Sequence, residues 1–139
     1  MWAFEFADET ILKLLTRYPN EKRLESSVLT SKDWAAGKIK MPVAQRAILQ
    51  AHAVAKEIDS LEDIALCHAI GQACGVVHAN GHAIGFPIYD LTSIIRRYGV
   101  PECQRAVEAR KQQYIERIYY WRTHCNDNPY PWADFMKAD

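Results

Sequence analysis

The sequence predicts an all-α, single-domain bundle of about six helices packed around one central buried helix that contains glycine and histidine. Three observations carry this. The stretch from Ile64 to Tyr89, IALCHAIGQACGVVHANGHAIGFPIY, holds no Asp, Glu, Lys or Arg and has to be largely interior. On either side of it apolar residues recur at helical spacing, and no alternating strand pattern survives anywhere. Pro and Gly punctuate the chain where helices of ordinary length would stop.

With 139 residues the chain makes one domain, 1–139, able to bury a core without disulfides or metal. A hydrophobic share of 49% against 24% charged excludes a disordered chain. Seventeen basic residues cancel seventeen acidic ones, so no global field favours nucleic acid or an anionic membrane. The opening MWAFEFADET carries acids where a secretory signal would carry basic residues, so the expected compartment is the cytoplasm. Cys67, Cys74, Cys103 and Cys125 form no CxxC pair and read as reduced, small apolar fillers.

The elements follow in order. Ile11, Leu12, Leu14 and Leu15 mark a first helix from Asp8 to Arg17, with Asp8 as a possible N-cap and Pro19 as its end. A second helical region begins near Asn20, carries Leu24, Val28, Leu29 and Trp34, and either continues or restarts at Ser31 before Gly37. Pro42 suits the first turn of a third helix, whose face is Ala44, Ala47, Ile48, Ala51, Ala55 and Ile58, with His52 on it or at its edge. Ser60 and Asp63 then read as a capping box that opens the fourth helix and makes the third and fourth an antiparallel hairpin. The fourth helix is expected to run to Gly85, with Pro87 forcing a kink or a restart as far as Gly99. Pro101 starts a last helix to about Cys125, placing Val107, Tyr114, Ile118 and Trp121 on one face with Arg110 largely elsewhere. Residues 126–139 form an aromatic, Pro-containing tail.

The charge-free stretch fails as a membrane span, because His68, Gln72, His78, Asn80 and His82 are costly in hydrocarbon and Gly and Pro interrupt it. Projected as one helix, it places His68, Gly71, Gly75, His78, His82 and Gly85 on one stripe, with Gln72 beside them. Cys67, Ile70, Cys74, Val77, Ile84 and Ile88 form an apolar stripe next to it. Glycine inside a helix costs about 1 kcal/mol relative to Ala, so the first stripe needs a reason. Either it admits a close-packed neighbour, or it walls a pocket lined by His52, His68 and the other imidazoles.

His78 and His82 have the spacing at which two imidazoles on a helix hold one metal such as zinc, but AlaAsnGly between them lacks the glutamate of the HExxH motif. His52 is expected opposite Cys67 or His68 across the hairpin. The histidines therefore split into two groups, and buried hydrogen-bonded pairs are the plainer reading, with no cofactor expected. No serine sits in a nucleophile elbow and no phosphate-binding loop is present. Tyr119, Tyr120 and Trp121, with Tyr130, Trp132 and Phe135 in the tail, are too many and too consecutive to be buried together, so Tyr120, Tyr130 and Trp132 are a candidate contact surface. A second candidate is the acidic hairpin tip with Glu57, Asp59, Glu62 and Asp63, which equally suits a solvated helix start.

Three pieces in order carry a resemblance: Trp34, Gly37 and Ile39; then Ala51, His52, Ala53 and Ala55; then Gly71, Gln72, Ala73, His78, His82, Ala83 and Gly85. In this order and spacing the chain resembles a family of small helical bacterial immunity proteins of toxin systems, from about Asp8 to Tyr98 and again, less closely, around Glu116 to Trp121. Phe86 and Pro87 depart from that pattern. The resemblance implies a non-enzymatic, α-helical protein that binds and silences a cognate toxin. The alternative is a small ligand- or metal-binding protein, possibly a metalloenzyme, built on the His78 and His82 stripe. A third reading is a homo-oligomer that associates through its aromatic surface.

Overall fold

The computed structural model describes residues 1–127 and 131–136. Among them six α-helices and no strand are found: α1 (Trp2–Arg17), α2 (Arg23–Ala35), α3 (Met41–Val54), α4 (Leu61–Gly75), α5 (His82–Tyr98) and α6 (Gln104–Thr123). Short 3-10 turns follow at Cys125–Asp127 and Asp134–Met136. The architecture is an all-α single-domain bundle, as the sequence predicts. No helix of the described residues is long and apolar enough to cross a membrane.

α4 is the hub, packed against α1, α2, α3 and α5. Its residues Ala65, Leu66, Cys67, Ala69, Ile70, Ala73 and Cys74 are buried, which takes in most of its circumference and explains the lack of charge. Ser60 Oγ accepts from Asp63 N–H at 3.2 Å and fixes the start of α4. Only half of the capping box is used: the buried Asp63 carboxylate is taken by Arg17 Nη1 and by Tyr18 Oη, the latter at 2.9 Å.

α1 begins at Trp2, not at Asp8. Ala3, Phe4, Ala7, Thr10, Ile11 and Leu14 are buried at helical spacing, so the apolar face extends through the aromatic opening of the chain. Asp8 is therefore no cap; it lies mid-helix and accepts from Lys32 Nζ at 2.8 Å. α2 is continuous through Ser31. Buried Ser27, Ser31 and Ala35 present a small-residue face to α4, and Cys74 Sγ lies 3.6 Å from Ser27 Oγ. α3 stops at Val54, one turn before Ile58, with Pro42 in its first turn.

The largest departure concerns the second half of the charge-free stretch. The chain breaks at residues 76–81 and reverses, so that Pro87 lies inside α5. Three pairings show α5 lying antiparallel on α4: Gly75 faces His82, Gly85 faces Gln72, and the rings of His68 and Tyr89 stand 5.1 Å apart. Arg96 Nη1 donates to Leu61 O at the far end. Reversing over residues 76–81 lets the two helices share this interface. Pro87, in the second turn of α5, leaves the Ala83 carbonyl without its helical N–H donor, a cost that packing on α4 has to offset.

α6 covers α1 and α5. Trp2, Phe6, Phe86 and Tyr114 form an edge-to-face aromatic cluster with ring centroids 5.1–6.4 Å apart. Beside it, buried Asp90 accepts from Arg110 Nε at 2.6 Å and from Tyr114 Oη. Arg110, expected away from the core, is thus a core residue, and its guanidinium lies 4.7 Å from the Phe6 ring centre. The described part of the tail turns back over α1 and α2, where Ala133 N–H donates to Ala35 O at 2.8 Å and Trp132 stacks on Phe4 at 6.2 Å.

Candidate functional site

The residues singled out in the sequence form a polar seam between α3, α4 and α5. His52 Nδ1 and His68 Nδ1 are 2.9 Å apart, across the α3–α4 hairpin. Two ring nitrogens at that distance need one proton between them, so one donates and the other accepts. His68 also stacks on Tyr89. One turn further along α4, His82 Nδ1 lies 2.7 Å from Gln72 Oε1. That carbonyl can only accept, so His82 Nδ1 is the donor.

The glycines are the counterparts of these side chains. A Cβ on Gly71 would lie 2.5 Å from His52 Cε1 and Nε2, and one on Gly75 would lie 2.8 Å from His82 Cγ. A Cβ on Gly85 would collide with the Gln72 amide. What enters each gap is an imidazole or an amide from the neighbouring helix, and not a bare backbone.

Burial disfavours the charged form of three of the imidazoles. Burial, with the charges of His68 and His82 added, pushes the His52 pKa below 6.5. Burial and Arg96 do the same for His68, and burial and His82 for His78. Each of these is a penalty on the imidazolium form.

His78 and His82 do not share a helix. His78 lies in the reversal and is exposed, while His82 opens α5. Their rings still stand 5.4 Å apart, edge to face. Among the described residues no group of three His, Cys, Asp or Glu side chains is placed to hold a metal ion.

The candidate partner residues fall into two separated sets. Glu62 meets Arg17 at 3.2 Å at the C-terminal end of α1, and Glu57 meets Arg23 at 2.5 Å, so much of the acidic tip is already balanced. Asp59 is exposed. Trp132 packs on Phe4 at the other end of α1, about 20 Å away along the helix. Tyr120 is exposed and sandwiched, with His124 stacked on it at 4.2 Å and the Arg117 guanidinium 3.8 Å from its centre. Tyr130 lies outside the described residues.

The sequence profile of the Imm-5 like putative immunity protein family matches residues 1–118, which spans α1 to α5 and most of α6. The chain belongs to this family. Comparison with curated proteins and with solved structures returns no match. Within the family region lie the whole His and Gly seam and the Asp90–Arg110–Tyr114 cluster, while the tail over Phe4 falls outside it.

Two features escape a reading of the sequence as one long helix. Asp90 carries no signal beyond a lone acid within an apolar stretch, and Asp63, read as a cap, gives no sign that its carboxylate is buried. The second feature lies on α5. Ile84 and Ile88, expected in a buried stripe with Cys67, Ile70, Cys74 and Val77, are 67% and 57% exposed. The other four of that stripe are buried. The helix break turns the two isoleucines outward.

Proposed function

We propose that this protein is an immunity protein that binds a cognate bacterial toxin in the cytoplasm and silences it by occlusion, with no reaction of its own. The single observation that carries this is membership of the immunity family over residues 1–118. The seam supports it chemically. His52, His68, Gln72 and His82 are engaged with one another and serve α3–α4–α5 packing, which leaves recognition to the surface. Tyr120, held rigid between Arg117 and His124, has the character of an interface anchor. Trp132 and the exposed Asp59 are further candidate contacts, at the two ends of α1.

The test is co-expression with the toxin encoded beside it. Protection of the host together with co-purification of the pair is the expected outcome. Survival unchanged and no complex would remove the reading. A second reading, divalent metal at His78 and His82, draws on the proximity of their rings. Elemental analysis of untagged protein, compared with His78→Ala, separates the two; metal at one equivalent that is lost in the variant would favour the second.

A further inference from the structure

α5 is an amphipathic helix turned inside out. Its core-facing residues Phe86, Asp90 and Ser93 are buried and two of the three are polar, whereas the opposite side carries Ile84, Ile88 and Ile95, with Leu91 at its edge, partly buried against the core. Three of those four are large exposed hydrophobics, at 67%, 57% and 38%. A monomer gains nothing from this arrangement.

The outward positions follow a heptad. Gly81, Ile84, Ile88, Leu91, Ile95 and Tyr98 step by three and four residues alternately, the spacing at which two helices keep one seam in contact. The flanking positions Asn80, Gly85, Pro87, Thr92, Ile94 and Gly99 carry no charge, so nothing along the seam selects a partner of opposite sign. The row is also complementary to itself when reversed. In an antiparallel pairing about a two-fold axis, Ile84 meets Ile95 and Ile88 meets Leu91. At the ends Tyr98, 47% exposed, meets Gly81, where a Cβ would find open space. The largest side chain thus faces the smallest.

Next to the row, an apolar groove of about 680 Å³ runs between α5 and α6 and is walled by Ile84, Pro87, Ile115 and Ile118. It gives the ridge of a second α5 somewhere to seat. Pairing covers the strip and the groove wall of both copies at once.

We infer that the outer face of α5 pairs with the same face of a second copy, antiparallel, to make a two-fold dimer. Its core would be α5 and α6 of both subunits. A heterologous partner would have no reason to match a reversed copy of this row.

Sedimentation equilibrium on the full chain from about 1 to 100 µM tests it. The expected mass approaches twice 15.9 kDa at the upper end, and Ile88→Glu, which changes an exposed side chain, returns it to 15.9 kDa with an unchanged helical spectrum. The register is tested in a Cys125→Ser background. Ile84→Cys mixed with Ile95→Cys should form a mixed disulfide, and Ile84→Cys alone should not. Wild-type protein that stays at 15.9 kDa throughout overturns the proposal, even if the same face is later found under a toxin. Cross-linking of Ile84→Cys to itself in preference to the mixed pair overturns it too.

Discussion

The imidazole of His52 occupies the space that a side chain at position 71 would need: a Cβ on Gly71 lies 2.5 Å from two of its ring atoms. The ring has no easy retreat, because its Nδ1 is tied to His68. Gly71→Ala should therefore destabilise the fold by about 1–2 kcal/mol, overpacking outweighing the better helix propensity of alanine. In a His52→Ala background the same change should instead stabilise, by up to about 1 kcal/mol. Urea unfolding of the four proteins checks the reversal of sign.

Stability should fall on mild acidification. The folded pKa values of His52, His68 and His78 lie below the 6.5 of the unfolded chain, so the unfolded state binds more protons in the window that opens at about 6.5 and extends downward. Stability is complete above that window and is lost as pH drops through it. Glu9 and Glu21, whose pKa values are held below 4.5 by Lys13, Arg110 and Arg23, add their loss only at lower pH. Urea midpoints at pH 7.5 and 5.5 should differ, and less so in the double variant His52→Gln, His68→Gln.

Removing Arg110 should be severe. Arg110→Ala leaves the buried Asp90 carboxylate with only Tyr114 Oη, and breaking a buried pair from one side costs roughly 3–5 kcal/mol. Tyr114→Phe, which keeps the ring in the aromatic cluster and the Arg110 pair intact, should cost about 1–2 kcal/mol. Thermal unfolding should rank the two in that order.

Thiol chemistry should report one reactive cysteine. Cys67 and Cys74 are buried, and desolvation raises their pKa values to about 12 and about 11. Cys103 is buried and Cys125 is exposed. A thiol reagent at pH 8 should modify native protein promptly at Cys125 alone, with the other three following only on unfolding.

Much of the fold is legible in the sequence because each signal is local. The absence of charge marks α4 as the hub, Ser60 marks its start, and the short connection that ends at Ser60 puts His52 opposite His68. The signals fail where a long-range contact overrides a local cost. Pro87 is the strongest breaker in the charge-free stretch, yet the helix ends at Gly75 and the chain reverses over residues 76–81, which lets Gln72 reach Gly85 and His82 reach Gly75. Misplacing that turn also misplaces Ile84 and Ile88, since a helix of the wrong length carries its stripe to the wrong face. Asp8 fails as a cap because the aromatic residues before it have partners more than a hundred positions away, as Trp2 Nε1 donating to Tyr114 O shows.

Those distant partners have a bearing on how the chain acquires its shape. α1 is made before the other five helices, yet Trp2 waits for Tyr114, Glu5 for Trp121 and Phe4 for Trp132. On a ribosome α1 has to remain provisional until α6 and the described tail have emerged. The hairpin of α3 and α4 can close early, since its contacts are near in sequence. The first of the six helices completes its contacts only when the last is in place.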